Sequence, residues 1–137
     1  MKIFLVEDSP MLRQRLTELL SAVPGASVLG YADDARTAVA AILEARPDVA
    51  IVDLSLAGGT GFDVLKALAR QAPQIDVYML SNFATPPYRA LAERLGARGF
   101  FDKSSEFQRV RDIIAERIKG ETAGKAAEGT AAADAAS

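Results

Sequence analysis

Short apolar runs alternate with stretches of helical periodicity along most of the chain. The runs predict buried strands, because their apolar residues follow one another directly; they are Lys2–Glu7, Ser27–Tyr31, Val49–Asp53, Asp76–Leu80 and Gly99–Phe101. After each run, apolar residues recur at helical spacing, which predicts helices over Pro10 to about Pro24, Asp34–Ala45, Phe62–Leu68, Thr85–Leu95 and Phe107–Ile118. Ser9 before Pro10 supports the first of these helix starts, since serine caps helices and proline is tolerated at their first position.

This order of elements, a strand and then a helix five times over, indicates an α/β fold. Strands that are apolar throughout are typical of a parallel sheet covered by helices on both faces. Right-handed crossovers then give an open, doubly wound, five-stranded parallel sheet. Ligands of such folds bind at the carboxyl ends of the strands, so the residues found there are the first candidates for a site.

The last part of the chain, residues 120–137, has a different composition. It reads GETAGKAAEGTAAADAAS and contains no Val, Leu, Ile, Met or aromatic residue that could pack against the rest. We therefore predict one folded domain over 1–119, followed by a disordered Ala/Gly-rich tail over 120–137. Nothing after Ile118 predicts a second folded module, so we expect a domain that stands alone.

Composition removes several kinds of chemistry. The 137 residues include no cysteine and no histidine, which excludes disulfides, thiolate or imidazole catalysis and Cys- or His-bound metals. The net charge of −2 argues against a direct nucleic-acid partner, which an electrostatic binder would meet with a basic surface. No apolar run is long enough to span a membrane or act as a signal peptide, so we expect a cytoplasmic protein without a membrane partner.

Side chains suited to metal and phosphate chemistry follow four of the five predicted strands. The first strand ends in Glu7-Asp8 and the third in Asp53; Ser81 follows the fourth and Lys103 the fifth. Three carboxylates in one place repel one another, and Mg²⁺, which prefers oxygen ligands, relieves that repulsion. A carboxylate can also be the nucleophile of phosphoryl transfer, with Mg²⁺, an ammonium and a hydroxyl each neutralising one phosphoryl oxygen.

Taken singly, each of these residues has an ordinary structural explanation. Acids at strand ends often cap turns or helices, and an isolated serine or lysine is usually structural or solvated. The joint pattern is more specific, because all of these residues fall at the same end of their strands. The segment after the first strand carries no glycine, which disfavours a flavodoxin or a dinucleotide-binding protein.

Residues 1–119 resemble the receiver domain of bacterial two-component response regulators. The resemblance rests on four segments taken together: LVEDSP, VAIVDLSLAGGTGFDVL, YMLSNF and GARGFFDKS. It implies a flavodoxin-like (βα)5 fold with strand order 2-1-3-4-5. It also implies that Asp53 is the phosphoacceptor, that Lys103 pairs with the phosphoryl charge, and that Mg²⁺ is bound by Glu7, Asp8, Asp53 and the backbone carbonyl of Ser55.

The same resemblance implies a conformational switch. Ser81 would be the hydroxyl that moves toward the phosphoryl group, and Phe100 the aromatic side chain that changes rotamer in response. The surface of the fourth helix, fifth strand and fifth helix would then change. Gly61 matches the glycine that opens the third helix in the family.

The resemblance implies two kinds of partner, a donor of the phosphoryl group and a protein that takes up the output signal. A histidine kinase or phosphotransfer protein would supply the phosphoryl group. The output would pass to a protein that the sequence does not identify, or to a homodimer formed on activation. We expect no enzymatic turnover beyond self-phosphorylation and autodephosphorylation.

The chain departs from the usual family pattern at a few positions around the site. They are Ala57, Thr60, Asn82 and Ser104, where proline, an acidic residue, a small residue and proline are common. The bulky Phe83 follows Asn82, and we expect it to shield the site from attacking water.

Two other functions stay open. The first is a pseudo-receiver, a protein-interaction module of the same fold that works without phosphorylation. The second is a phosphohydrolase with an aspartyl nucleophile, similar to haloacid-dehalogenase-like enzymes. Those enzymes carry a second aspartate two residues after the nucleophile, where this chain has Ser55.

Overall fold

The computed structural model describes the backbone of residues 1–136 and the side chains of residues 1–121, and its elements alternate between strand and helix. In chain order they are β1 (Lys2–Val6), α1 (Pro10–Ser21), β2 (Ser27–Ala32), α2 (Ala35–Ala45), β3 (Val49–Asp53), β4 (Ser55–Leu56), β5 (Gly59–Thr60), α3 (Gly61–Gln71), β6 (Asp76–Ser81), α4 (Pro86–Arg94), β7 (Gly99–Asp102) and α5 (Phe107–Ala136).

Five of the strands form one parallel sheet in the order β2-β1-β3-β6-β7. By position this is the predicted order 2-1-3-4-5, and the prediction of a doubly wound α/β fold is confirmed. Successive strands are added on one side of β1 first and then on the other, so the strand order changes direction between β1 and β3. The carboxyl ends of both strands therefore open at the point where such folds bind their ligands.

The core has two parts, one on each face of the sheet. Alternate residues of the central strands point to opposite faces, as the period of a strand requires. On one face they pack against α1 and α5, through Leu16, Leu20, Val110 and Ile114. On the other face they pack against α2, α3 and α4, through Ile42, Val64, Leu65, Leu68 and Ala92. Burial on both faces explains the continuous apolar runs of β1, β3 and β6.

Some local features differ from the sequence prediction. β2 is at an edge of the sheet and is covered on alternate residues only: Val28 and Gly30 are half-buried, Ala32 is buried, and the residues between them are exposed. A two-stranded antiparallel hairpin of β4 and β5 lies in a segment that we predicted as a loop. α1 ends at Ser21 and α4 at Arg94, each earlier than predicted.

The predicted tail, residues 120–137, lies almost entirely outside the residues whose side chains are described. The division of the chain into 1–119 and 120–137 therefore stays a prediction. Within the described part of the chain, every helix is too short or too polar to cross a bilayer.

Candidate functional site

The carboxyl edge of the sheet brings the predicted acidic residues together. Asp53 is the last residue of β3, and Glu7 directly follows β1, its neighbour in the sheet. Both side chains are buried, with exposed fractions of 4% for Asp53 and 2% for Glu7. The sheet thus places two carboxylates side by side in a largely dehydrated position.

Lys103 follows β7 and reaches across the edge of the sheet to both carboxylates. Its Nζ lies 2.9 Å from Glu7 Oε2 and 2.9 Å from Asp53 Oδ2, and its side chain is only 9% exposed. The Lys103 backbone N–H also donates to the Ser81 carbonyl oxygen at 2.9 Å. Contacts of both its backbone and its side chain therefore hold Lys103 in place beside residues that are distant in sequence.

Asp8 completes a group of three carboxylates. One carboxylate oxygen from each of Glu7, Asp8 and Asp53 lies within 4.8 Å of the others, and the Asp8 side chain is exposed. Glu7 Oε2 is buried and accepts no hydrogen bond of regular geometry from the described residues, although the Lys103 ammonium lies beside it. An oxygen-only donor set with a lone pair to spare and one side open to solvent fits Mg²⁺.

Burial and mutual repulsion control the ionisation of this group. Burial raises the pKa of Glu7, and the nearby charge of Asp53 adds to the effect; Lys103 acts in the opposite direction. Burial likewise raises the pKa of Asp53, with Asp8 adding to it and Lys103 opposing it. Burial lowers the pKa of Lys103, but its pairing with Asp53 and Glu7 outweighs this, and the net shift is upward. One ammonium therefore only partly compensates three carboxylates.

The loop after β3 holds Asp53 in place. The Ser55 N–H donates to Asp53 Oδ1 at 3.3 Å, and Ser55 begins the β4–β5 hairpin that leads into α3. Gly61 opens α3 directly against the end of β3: a Cβ there would lie 2.3 Å from the Asp53 carbonyl oxygen. Thr60 caps the same helix through a reciprocal pair of hydrogen bonds with Asp63. The role predicted for the Ser55 carbonyl stays a prediction.

Ser81 lies at the end of β6, next to β3, and is 1% exposed. Its Oγ accepts a hydrogen bond from the Phe83 N–H at 2.9 Å. In the described residues no hydrogen bond joins Ser81 to Asp53, so the hydroxyl is near the acidic group and engaged elsewhere.

Phe100 does not belong to the carboxylate group. It is buried on β7 and packs in the part of the core covered by α4. The Arg89 guanidinium lies 5.6 Å from the centre of its ring, and Arg89 also donates to the Phe100 carbonyl oxygen at 2.7 Å. Phe100 therefore lies between the sheet and α4, outside the carboxylate group.

Arg13 of α1 also contacts the acid pair, and the sequence did not single it out. Its Nη1 donates to the carbonyl oxygens of Glu7 at 2.9 Å and Asp8 at 3.3 Å. Its guanidinium also stacks 3.9 Å from the ring centre of Tyr31. The one signal in the sequence was a cation one helical turn after the acid pair, and arginines are common at such positions.

Known proteins match this chain along most of its length. Residues 3–115 match the family described as response regulator receiver domain. The uncharacterized transcriptional regulatory protein YvfU of Bacillus subtilis is 33% identical over 119 residues, which are 87% of this chain and 60% of that protein. The DNA-binding transcriptional activator DevR/DosR of Mycobacterium tuberculosis is 33% identical over 102 residues, covering 74% of this chain and 47% of that protein.

Solved structures agree with these sequence matches. The crystal structure of the response regulator domain of Thermotoga maritima CheB superposes with a TM-score of 0.77 and 28% identity, covering 88% of this chain and 94% of that one. The chain spans about half the length of the curated relatives that it matches. What it shares with them is one domain, and this chain belongs to the response regulator receiver domain family of two-component systems.

Proposed function

We propose that this receiver domain is a phosphoacceptor switch in which Asp53 is phosphorylated in the presence of Mg²⁺. The observation that carries the proposal is the position of Lys103 Nζ, 2.9 Å from both Asp53 Oδ2 and Glu7 Oε2, with Asp8 beside them. A nucleophilic carboxylate, a cation-binding acid pair and an ammonium for the transferred charge are the groups that phosphoryl transfer to aspartate requires.

The chemistry is a single displacement at phosphorus. An Asp53 carboxylate oxygen forms the new P–O bond while the bond from phosphorus to the donor breaks, and the leaving group keeps the electron pair. Lys103 is placed to pair with a phosphoryl oxygen once that oxygen replaces part of the Asp53 charge. When bound by Glu7, Asp8, Asp53 and the Ser55 carbonyl, Mg²⁺ would supply further neutralisation of the phosphoryl oxygens.

The proposed switch connects Ser81 to Phe100. Ser81 Oγ would leave the Phe83 N–H for the phosphoryl group, which offers charged acceptor oxygens in place of a neutral contact. Phe100 lines a groove of about 350 Å³ between α4 and β7, so its ring has space to respond. The surface of α4, β7 and α5 would then carry the output to a partner protein or a second copy of the chain.

We propose as donor a histidine kinase or a phosphotransfer protein, the partners that membership of this family implies. The chain has no histidine of its own that could carry the phosphoryl group. No turnover of a separate substrate is proposed. Ser55 stands where an aspartyl phosphohydrolase of the haloacid-dehalogenase-like kind has its second aspartate.

Intact-mass spectrometry after incubation with acetyl phosphate and Mg²⁺ tests the proposal. We expect one phosphoryl adduct on the wild-type protein, and none with Asp53→Asn or in EDTA. Asp112→Asn is a matched control, because Asp112 is an exposed carboxylate on α5, and it should acquire the adduct as the wild type does. An adduct that survives Asp53→Asn would contradict the assignment of the acceptor.

A wild-type protein that acquires no adduct from acetyl phosphate leaves two explanations. Titration with beryllofluoride and Mg²⁺ then separates the two remaining explanations. Binding at Asp53 would show a competent site with a poor donor, and no binding would favour the pseudo-receiver.

A further inference from the structure

Arg13 joins three parts of the molecule around the acid pair. It lies in the first turn of α1, and its Nη1 donates to the backbone carbonyls of Glu7 and Asp8, at 2.9 and 3.3 Å. The guanidinium also lies over the Tyr31 ring, whose centre is 3.9 Å away. The planar group therefore contacts both an aromatic ring of β2 and the loop that connects β1 to α1.

The Asp8 carboxylate depends on this loop for its position. In the described part of the chain, no hydrogen bond or ion pair reaches the Asp8 carboxylate, whereas Glu7 has both the Ser9 N–H and Lys103. The Asp8 side chain is exposed, so packing does not fix it either. Its oxygen lies within 4.8 Å of those of Glu7 and Asp53, and among the described contacts only the backbone of the loop is left to position it.

We propose that Arg13, stacked on Tyr31, is a positioning residue that holds the Glu7–Asp8 backbone in the conformation that binds Mg²⁺. The proposal rests on the metal site of the proposed function and names a residue that acts on it through the backbone. Groups that orient metal ligands by hydrogen bonds commonly change metal affinity by about tenfold or more when they are replaced.

The charge and the hydrogen bonds of Arg13 have opposite effects on Mg²⁺ binding, so a test has to keep the charge constant. A positive guanidinium near the site repels Mg²⁺, whereas its hydrogen bonds hold the backbone in the conformation that binds Mg²⁺. Arg13→Lys keeps the charge but removes the planar group that can donate to both carbonyls while stacking on a ring. Any loss of Mg²⁺ affinity in this variant therefore reports positioning.

Calorimetric titration of the metal-free protein with Mg²⁺, without any phosphodonor, measures the effect directly. We expect Arg13→Lys to weaken Mg²⁺ binding about tenfold. Arg15→Lys is the matched control: Arg15 is on the same helix and also covers an aromatic ring, that of Phe107 at 4.8 Å, but it faces α5. This control should bind Mg²⁺ within about twofold of the wild type.

The Tyr31 ring is tested in the same titration. Tyr31→Ala should weaken Mg²⁺ binding about threefold, because the guanidinium loses its stacking partner, and Tyr31→Phe should leave it unchanged. Adding Tyr31→Ala to Arg13→Lys should have no further effect, because the ring acts only through the guanidinium. In acetyl phosphate reactions, Arg13→Lys should raise the half-saturating Mg²⁺ concentration and retain the rate at saturating Mg²⁺.

The outcomes separate this inference from the proposed function. Equal Mg²⁺ affinity in Arg13→Lys and the wild type, or an equal loss in Arg15→Lys, would overturn the inference while Asp53 phosphorylation stands. The expected order of affinities, with neither an adduct nor beryllofluoride binding at Asp53, would support the inference and refute the acceptor role. A wild-type protein with no measurable Mg²⁺ affinity would overturn both.

Discussion

Replacing Lys103 by methionine tests how the site tolerates two buried carboxylates. Lys103 Nζ lies 2.9 Å from an oxygen of each of Glu7 and Asp53, and the three side chains are almost fully buried. Removing one partner of a buried ion pair commonly lowers the free energy of unfolding by about 3–5 kcal/mol, because the remaining charge is left without compensation. Methionine keeps most of the packing of the lysine stem, so the loss in the free energy of unfolding measures the removal of the ammonium charge.

We expect a loss near the lower end of that range, about 3 kcal/mol at neutral pH, because the orphaned carboxyls can bind a proton. For a domain of this size that corresponds to a fall in Tm of roughly 10 °C. Excess Mg²⁺ should reduce the difference in the free energy of unfolding between variant and wild type, because a bound cation stabilises the folded state that holds the two carboxylates together.

The pH dependence of this loss has a definite sign. The folded-state pKa values of Glu7 and Asp53 are already raised by burial above the ordinary 4.5 and 3.8. A carboxyl with a raised pKa adds stability when it is protonated, and that stability is lost as the pH rises through the folded-state pKa. Without Lys103 the pKa values rise further, so the variant should lose stability more steeply than the wild type above about pH 4.

Urea unfolding followed by circular dichroism, in EDTA and from about pH 4 to about pH 8, measures the difference in the free energy of unfolding between Lys103→Met and the wild type. Lys66→Met is the matched control, because Lys66 is exposed on α3, and it should change the free energy of unfolding by less than about 0.5 kcal/mol. A loss of equal size at both ends of the pH range would refute the electrostatic reasoning and assign it to packing. No loss at neutral pH would show that the ammonium does not compensate the carboxylates.

Three further changes test the surroundings of the site. Thr60→Ala should lower the free energy of unfolding by about 1 kcal/mol through loss of the α3 cap. Thr85→Ala should have little effect, because Thr85 makes no side-chain cap bond at α4; equal losses in urea unfolding would argue against the cap. Gly61→Ala should cost about 2 kcal/mol and slow phosphorylation, since its Cβ would lie 2.3 Å from the Asp53 carbonyl oxygen. Gly30→Ala, with a new Cβ 3.7 Å from Phe4, should be near neutral, and a similar loss there would contradict the steric argument. Phe83→Ala should shorten the lifetime of the aspartyl phosphate, because the 57% exposed ring lines the groove beside Asp8; equal lifetimes by mass spectrometry would exclude shielding.

Much of the fold could be predicted because its determinants are local. Continuous apolar runs such as Val49–Asp53 need a sheet with two covered faces, and that requirement implies flanking helices. The position of Glu7, Asp53 and Lys103 at one edge follows from the topology alone, since parallel strands end on the same side. The sequence alone is therefore enough to predict that these three residues lie close together.

The contacts that shape the site could not be predicted in the same way. Lys103 alone is indistinguishable in sequence from a solvated lysine, and its burial depends on how far β7 lies from β1 in the folded sheet. The β4–β5 hairpin has two residues in each strand, too few for any hydrophobic period. The stacking of Arg13 on Tyr31 joins a helix to an edge strand whose pairing register is set by the whole sheet.

Lys103 also gives the acidic edge a direct connection to the strand that carries Phe100. Its side chain contacts Glu7 and Asp53, and its N–H donates to the Ser81 carbonyl oxygen at 2.9 Å. A phosphoryl group on Asp53 would draw the ammonium away from Glu7 and offer the Ser81 hydroxyl a charged acceptor. Both changes act on the ends of β6 and β7, and Phe100 lies three residues before Lys103 on the second of them. The groups that would neutralise a phosphoryl group on Asp53 are thus the groups from which a conformational signal toward α4 would start.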